Sequence, residues 1–156
     1  MAGIWLVAAG RIKHPGLRDA VREYLRRTAG YGWQVRVVEV REGAGGRTDP
    51  RAVAEEESRR MLRLSLPPGA LRVALDAGGR GFTSEAFAGW LGRLLDRVPV
   101  VFFVGGAWGL GESLLQECDE RLSLSPLTMA HDIARLVLVE QIYRAATLAR
   151  GAPYHK

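Results

Sequence analysis

The chain has 156 residues, 47% hydrophobic and 25% charged, with a formal net charge of +5. That length suffices for one domain with its own core, and that balance excludes an intrinsically disordered chain. A single cysteine, Cys118, excludes an internal disulfide framework and any multi-cysteine metal site. No apolar run approaches the length of a membrane span, and no basic leader precedes the short run from Ile4 to Val7. A cytoplasmic protein with neither metal nor membrane partner is expected.

Ile4 to Ala9 reads as a first strand closed by Gly10, and Pro15 opens a helix with Leu17, Val21, Tyr24 and Leu25 as its buried stripe. Gln34 to Val40 is a second, valine-rich strand. Arg41 to Asp49, with three glycines, reads as a loop before a helix from Pro50 to about Leu66. The pairs Glu55 with Arg59 and Glu56 with Arg60 support that helix at i,i+4 spacing. Leu71 to Leu75 is a third strand, and Asp76 to Gly81 a glycine-rich loop. A helix follows, capped by Thr83 or Ser84 and burying Phe87, Trp90, Leu91, Leu94 and Leu95. Val98 to Val104, apolar without alternation, predicts a strand covered on both faces. After a glycine turn come a short helix from about Glu112 to Cys118, a short strand near Leu122 to Leu124, and a last helix from His131 to Arg150. That last helix is apolar around most of its circumference, which predicts a dimer interface. Alternating strands and helices define an α/β fold around a largely parallel sheet.

Charge is concentrated. Residues 1–51 carry ten Arg or Lys against five Asp or Glu, whereas the remainder carries twelve of each. A basic face of this kind suits a phosphate backbone, although arginine is also this chain's default solubilising residue.

The turn from Gly105 to Gly111 follows a buried strand and precedes a helix, the place where α/β sheets bind ligands. It lacks the Lys-Ser/Thr of a P-loop and the spacing of a dinucleotide fingerprint. Taken alone, it is as consistent with a plain connection as with a ligand cradle. Gly78 to Gly81 follows another strand end, and Leu124 to Met129 mixes apolar walls with hydroxyls. Such a lining suits an adenosine. An ordinary connection in which Ser125 or Thr128 caps the last helix remains the alternative.

In order and spacing these segments resemble the RlmH family, small SPOUT-class enzymes that methylate N3 of a pseudouridine in 23S rRNA. The resemblance runs from Leu6-Val7-Ala8-Ala9-Gly10 through Glu23-Tyr24-Leu25-Arg26-Arg27. It is densest over Gly105-Gly106-Ala107-Trp108-Gly109-Leu110, Leu122-Ser123-Leu124-Ser125, Leu127-Thr128-Met129-Ala130-His131, Glu140-Gln141-Ile142-Tyr143-Arg144-Ala145 and Pro153-Tyr154-His155-Lys156. It implies one SPOUT methyltransferase domain over residues 1–156, with a C-terminal trefoil knot and a homodimer. It implies S-adenosyl-L-methionine as cofactor, held by Leu75, Gly105, Leu124, Ser125, Pro126, Leu127, Thr128 and Met129. Its partner would be 23S rRNA in the assembled ribosome. Trp108 is bulkier than the family usual, and Ala130 stands where a proline often precedes the histidine.

Methyl transfer to a ring nitrogen needs no protein nucleophile, so Cys118 reads as a packed residue. The N3 proton must go somewhere, and His155, donated across the dimer, is the candidate base or orienter. Tyr154 would stack on a flipped base and Lys156 meet a phosphate. His131 and Arg135, one helical turn apart, would face the site together; Glu140 and Arg144 read as a structural pair. Two rival readings are a non-catalytic rRNA- or ribosome-binding module and a SPOUT methyltransferase acting on tRNA.

Overall fold

A computed structural model describes residues 3–44 and 49–155. Five parallel strands form one sheet: β1 (Ile4–Ala9), β2 (Val35–Val40), β3 (Leu71–Gly81), β4 (Val100–Val104) and β5 (Glu120–Ser123), in the order β2-β1-β4-β3-β5. The helices are α1 (Pro15–Gly30), α2 (Pro50–Leu62), α3 (Ser84–Leu95), α4 (Glu112–Glu117) and α5 (His131–Ala149). No helix among the described residues is long and apolar enough to cross a membrane.

Side-chain alternation along β4 explains the layering. Val100, Phe102 and Val104 face one core with α1, α3 and α5, joining Val21, Phe87, Leu91, Leu138 and Ile142. Val101 and Phe103 face a second core with Met61 of α2 and Leu114 of α4. Every residue of β4 is buried, as its unbroken apolar run predicts.

Helix starts follow local chemistry. Pro15 and Pro50 occupy first-turn positions, behind the side-chain caps His14 and Asp49. Thr83 Oγ1 accepts from Ala86 N at 3.1 Å, so Thr83 caps α3. On α1, Glu23 accepts from both Arg26 and Arg27, and those bonds hold its carboxyl down at about 2. Both arginines stay exposed on the basic helix.

Two boundaries differ from expectation. Helix α2 ends at Leu62 rather than Leu66; Leu66 itself precedes Pro67, and the residue before a proline avoids the helical region. Strand β3 does not stop at Leu75. After a register shift between Leu75 and Arg80 it pairs with β5 again, Arg80 opposite Leu122 and Gly81 opposite Ser123. The expected glycine loop is therefore an irregular second half of a strand.

The apolar circumference of α5 is largely taken up within the chain, since the helix packs between α1 and α3. Ser84 Oγ donates to Gln141 Oε1 at 2.8 Å across the α3 contact. Ile133 is the one α5 residue among the large exposed apolar side chains.

Candidate functional site

A cavity of about 520 Å³ opens at the carboxyl end of β4, beside the irregularity in the middle of β3. Its walls come from three segments. Leu75, Asp76 and Ala77 lie at the irregularity in β3; Val104 ends β4, and Gly105 to Ala107 with Gly109 belong to the turn after it; Leu124, Ser125 and Leu127 to His131 lead from β5 into α5.

The turn is closed on itself. Gly109 N donates to Gly106 O at 3.1 Å, and Gly109 has φ +77°, a conformation that favours glycine. A Cβ on Gly105 would lie 2.7 Å from Gly109 Cα, so Gly105 is demanded by the closure of the bend itself. Beyond the bend, Gly111 N donates to Ser58 Oγ at 2.8 Å and Ser113 N to Glu55 Oε1 at 3.0 Å. The bond from Ser113 holds the Glu55 carboxyl below its ordinary range. Helix α2 thus fixes the far end of the turn.

The segment from Leu124 to Met129 does not cap the last helix. Ala130 is the N-cap of α5 and supplies no side-chain bond, while Ser125 Oγ accepts from Leu127 N at 3.0 Å within its own loop. Leu127, 75% exposed, lines the open side of the cavity.

Of the expected cofactor contacts, Leu75, Gly105, Leu124, Ser125, Leu127, Thr128 and Met129 all line this cavity; Pro126 is exposed in the same loop without lining it. His131 lines it at the start of α5. Asp76 was not anticipated, although a carboxylate at a strand's carboxyl end beside a glycine turn is a usable signal. It accepts from Gly78 N at 3.0 Å and pairs with Arg121 at 3.6 Å.

Arg135 does not face the cavity beside His131. One turn further along α5, its side chain points under the sheet's end and is 3% exposed. It pairs with Glu39 Oε2 at 2.6 Å and donates to Gly10 O at 2.7 Å, tying α5 to the ends of β1 and β2. Its place is architectural.

The C-terminal tail lies on α3 and α5 and does not line the cavity of its own chain. The Tyr154 ring packs edge-on against Tyr143 at 4.7 Å, under Arg144. Its hydroxyl donates to Glu140 Oε1 at 3.1 Å, and burial, then hydrogen bonding and the nearby carboxylate, push its pKa up. Glu140 also holds Arg144 at 2.6 Å. His155 Nε2 lies 2.7 Å from Glu85 Oε1, and Arg144 Nη1 lies 3.4 Å from Nδ1. A guanidinium only donates, so this arrangement assigns Nδ1 as acceptor and the Nε2 proton to Glu85. Lys156 lies outside the described residues. Burial pushes the Cys118 thiol up to about 11, which leaves little thiolate and no nucleophile.

The site is thus a ligand-sized cavity at the strand ends of a parallel sheet, with a hydroxyl-bearing loop against a glycine turn. A family model described as "Predicted SPOUT methyltransferase" matches residues 3–155. A protein of Gemmatimonas aurantiaca named "Ribosomal RNA large subunit methyltransferase H" is 43% identical over 152 residues, covering 97% of each chain. One of the same name from Syntrophotalea carbinolica is 38% identical over 154 residues, again covering 97% of each. A solved structure titled as a probable methyltransferase from Bordetella pertussis Tohama I superposes with a TM-score of 0.52 at 17% identity, over 93% of this chain and 95% of that one. That last likeness speaks to the fold alone. The chain belongs to the SPOUT methyltransferase family and, within it, to the ribosomal RNA large subunit methyltransferase H group.

Proposed function

We propose that this protein binds S-adenosyl-L-methionine in the 520 Å³ cavity and methylates N3 of a pseudouridine in 23S rRNA, on assembled ribosomes in the cytoplasm. The observation that carries this reading is the convergence of seven of the eight expected contact residues on one cavity. Its volume falls within the ~300–1,000 Å³ of small-molecule sites. Leu75, Leu124, Leu127 and Met129 offer apolar walls for an adenine, and Ser125, Thr128 and turn backbone offer polar partners. The residues present fit the group.

When bound, S-adenosylmethionine supplies a methyl on a sulfonium, whose transfer forms the N3–C bond as the S–C bond breaks. The chain's own tasks are alignment and removal of the N3 proton. His155 is our assignment for base or orienter, reaching the cavity of a partner copy, because the tail stands apart from its own chain's cavity. Tyr154 would stack on the flipped base once released from Glu140, and His131 would orient substrate from within the cavity. The whole chain serves as one methyltransferase domain. Its homodimer and a C-terminal trefoil knot belong to the same proposal. The exposed arginines of α1 favour docking on an RNA surface.

Two measurements test it. Titration calorimetry should give one S-adenosylmethionine site per chain; no heat of binding contradicts the reading. His155→Ala should lower the methyl-transfer rate by roughly 10²- to 10³-fold at saturating cofactor with cofactor affinity intact, the range expected for a lost proton acceptor. An unchanged rate removes His155 from the chemistry.

A further inference from the structure

A second cavity of about 220 Å³ adjoins the first and shares Gly106, Ala107 and His131 with it. It lies over the end of β1 at Ala9, beside Glu42 and Gly43 after β2 and Gly106 after β4. In the sheet order, the chain leaves β1 outward to β2 and leaves β4 in the opposite direction to β5, so the connections diverge between β1 and β4. Such a divergence leaves a crevice at the strand ends. The proposed cofactor site occupies the neighbouring position, over β3 and β4.

Three features of this second cavity call for an occupant. Glu57 of α2 lines it and is only 4% exposed. Its Oε2 accepts from Gly43 N at 3.0 Å, but its buried Oε1 has no partner among the described residues. Oε1 lies so close to the turn that a Cβ on Gly106 would come within 2.9 Å of it. A buried carboxyl oxygen left without a donor is costly, and few native groups stay so. On another wall stands Trp108, 57% exposed, a flat apolar surface beside the crevice. At the rim Arg11 and Lys13 are exposed cations, Lys13 only loosely paired with Glu42 at 3.7 Å. A ring N–H donor, a π-face and a phosphate are the complements of these three.

We propose that this cavity receives the flipped target nucleobase, stacked on Trp108, with Glu57 Oε1 accepting the N1–H of a pseudouridine. The inference rests on the methyltransferase reading above and deepens it. Pseudouridine carries two ring N–H groups. N3–H must face the cofactor cavity, which leaves N1–H for recognition. Uridine presents a C–H at the corresponding edge, so a buried acceptor there separates the two bases. Sites built around a substrate N–H discriminate strongly against analogues that lack it. Glu57 is thereby a specificity-determining residue.

The test uses the full-length protein with two ribosome preparations from strains lacking this enzyme, one carrying pseudouridine at the target and one carrying uridine. Glu57→Gln keeps the shape and an oxygen for Gly43 N, but turns a donor towards the base. It should lower kcat/KM on pseudouridine ribosomes by roughly 30-fold or more, and bring the preference over uridine to within about threefold of unity. S-adenosylmethionine affinity should stay within about threefold of wild type, since Glu57 lies outside the first cavity. Unchanged kcat/KM, or an equal loss on both preparations, overturns the inference. Should that variant fail to fold, Trp108→Ala, at an exposed position, is expected to raise KM for ribosomes about tenfold with cofactor affinity intact. An unchanged KM overturns the stacking role. Wild-type protein that methylates neither preparation would instead sink the underlying functional reading.

Discussion

Gly105→Ala is expected to weaken S-adenosylmethionine binding by about 100-fold or more while the sheet still folds. The reason is local. The new Cβ would meet Gly109 backbone at 2.7 Å, and no flexible side chain is there to give way. The backbone must move instead, yet the turn is pinned by β4 on one side and by the bonds from Gly111 and Ser113 to α2 on the other. The shift therefore falls on the segment lining the cavity. A displacement near 1 Å at a positioning element can cost about 10²-fold in function. Gly109→Ala provides the contrast. Nothing lies within 4 Å of its Cβ position, so its cost is the left-handed conformation alone, about 1–2 kcal/mol. Calorimetry on both variants checks the pair. Near-normal affinity in Gly105→Ala would mean that the turn does not shape the ligand site.

Arg135→Met should lower stability by about 1–3 kcal/mol, chiefly through the unpaired Gly10 carbonyl, while leaving the cofactor cavity intact. Methionine fills much of the volume but supplies no donor. The Gly10 carbonyl then loses its charged partner, and Glu39 loses the cation that holds it over β2. For a chain of this size the melting temperature should fall by about 2–12 °C. Cofactor affinity below that temperature should be unaltered, because Arg135 does not line the cavity. Loss of methyl transfer at an unchanged melting temperature would instead place Arg135 in the chemistry.

What the sequence revealed depended on whether burial left a pattern. The unbroken apolar run of β4 announced a strand covered twice, and it is the centre of the sheet. The second half of β3 was hidden because glycines at 78, 79 and 81 read as a turn, whereas they permit an irregular strand to rejoin β5 after a register shift. The apolar circumference of α5 signalled burial correctly but not its partner. Two helices of the same chain, α1 and α3, cover most of it.

The charged residues of α2 show the same limit from the other side. Glu55 with Arg59 and Glu56 with Arg60 pair as their spacing suggests. Glu57, next to them in sequence, belongs to the buried stripe Val53, Ala54, Glu57, Ser58 and Met61. Its position four residues from both Val53 and Met61 was the available signal, a charge on an apolar register. For Arg135 the partners are remote, at Glu39 and Gly10, so no local spacing could have found them. The cavity loop from Leu124 to Met129 was legible through family resemblance rather than periodicity. Its hydroxyls had a capping alternative that the structure removes at Ala130.

The most direct measurement is methyl transfer from labelled S-adenosylmethionine to ribosomes purified from a strain lacking this enzyme, followed by mass-spectrometric location of the label. The account predicts one methyl per large subunit, on N3 of a pseudouridine in 23S rRNA, and none on tRNA assayed in parallel. Label in tRNA, or no label in ribosomes that the protein demonstrably binds, would contradict it.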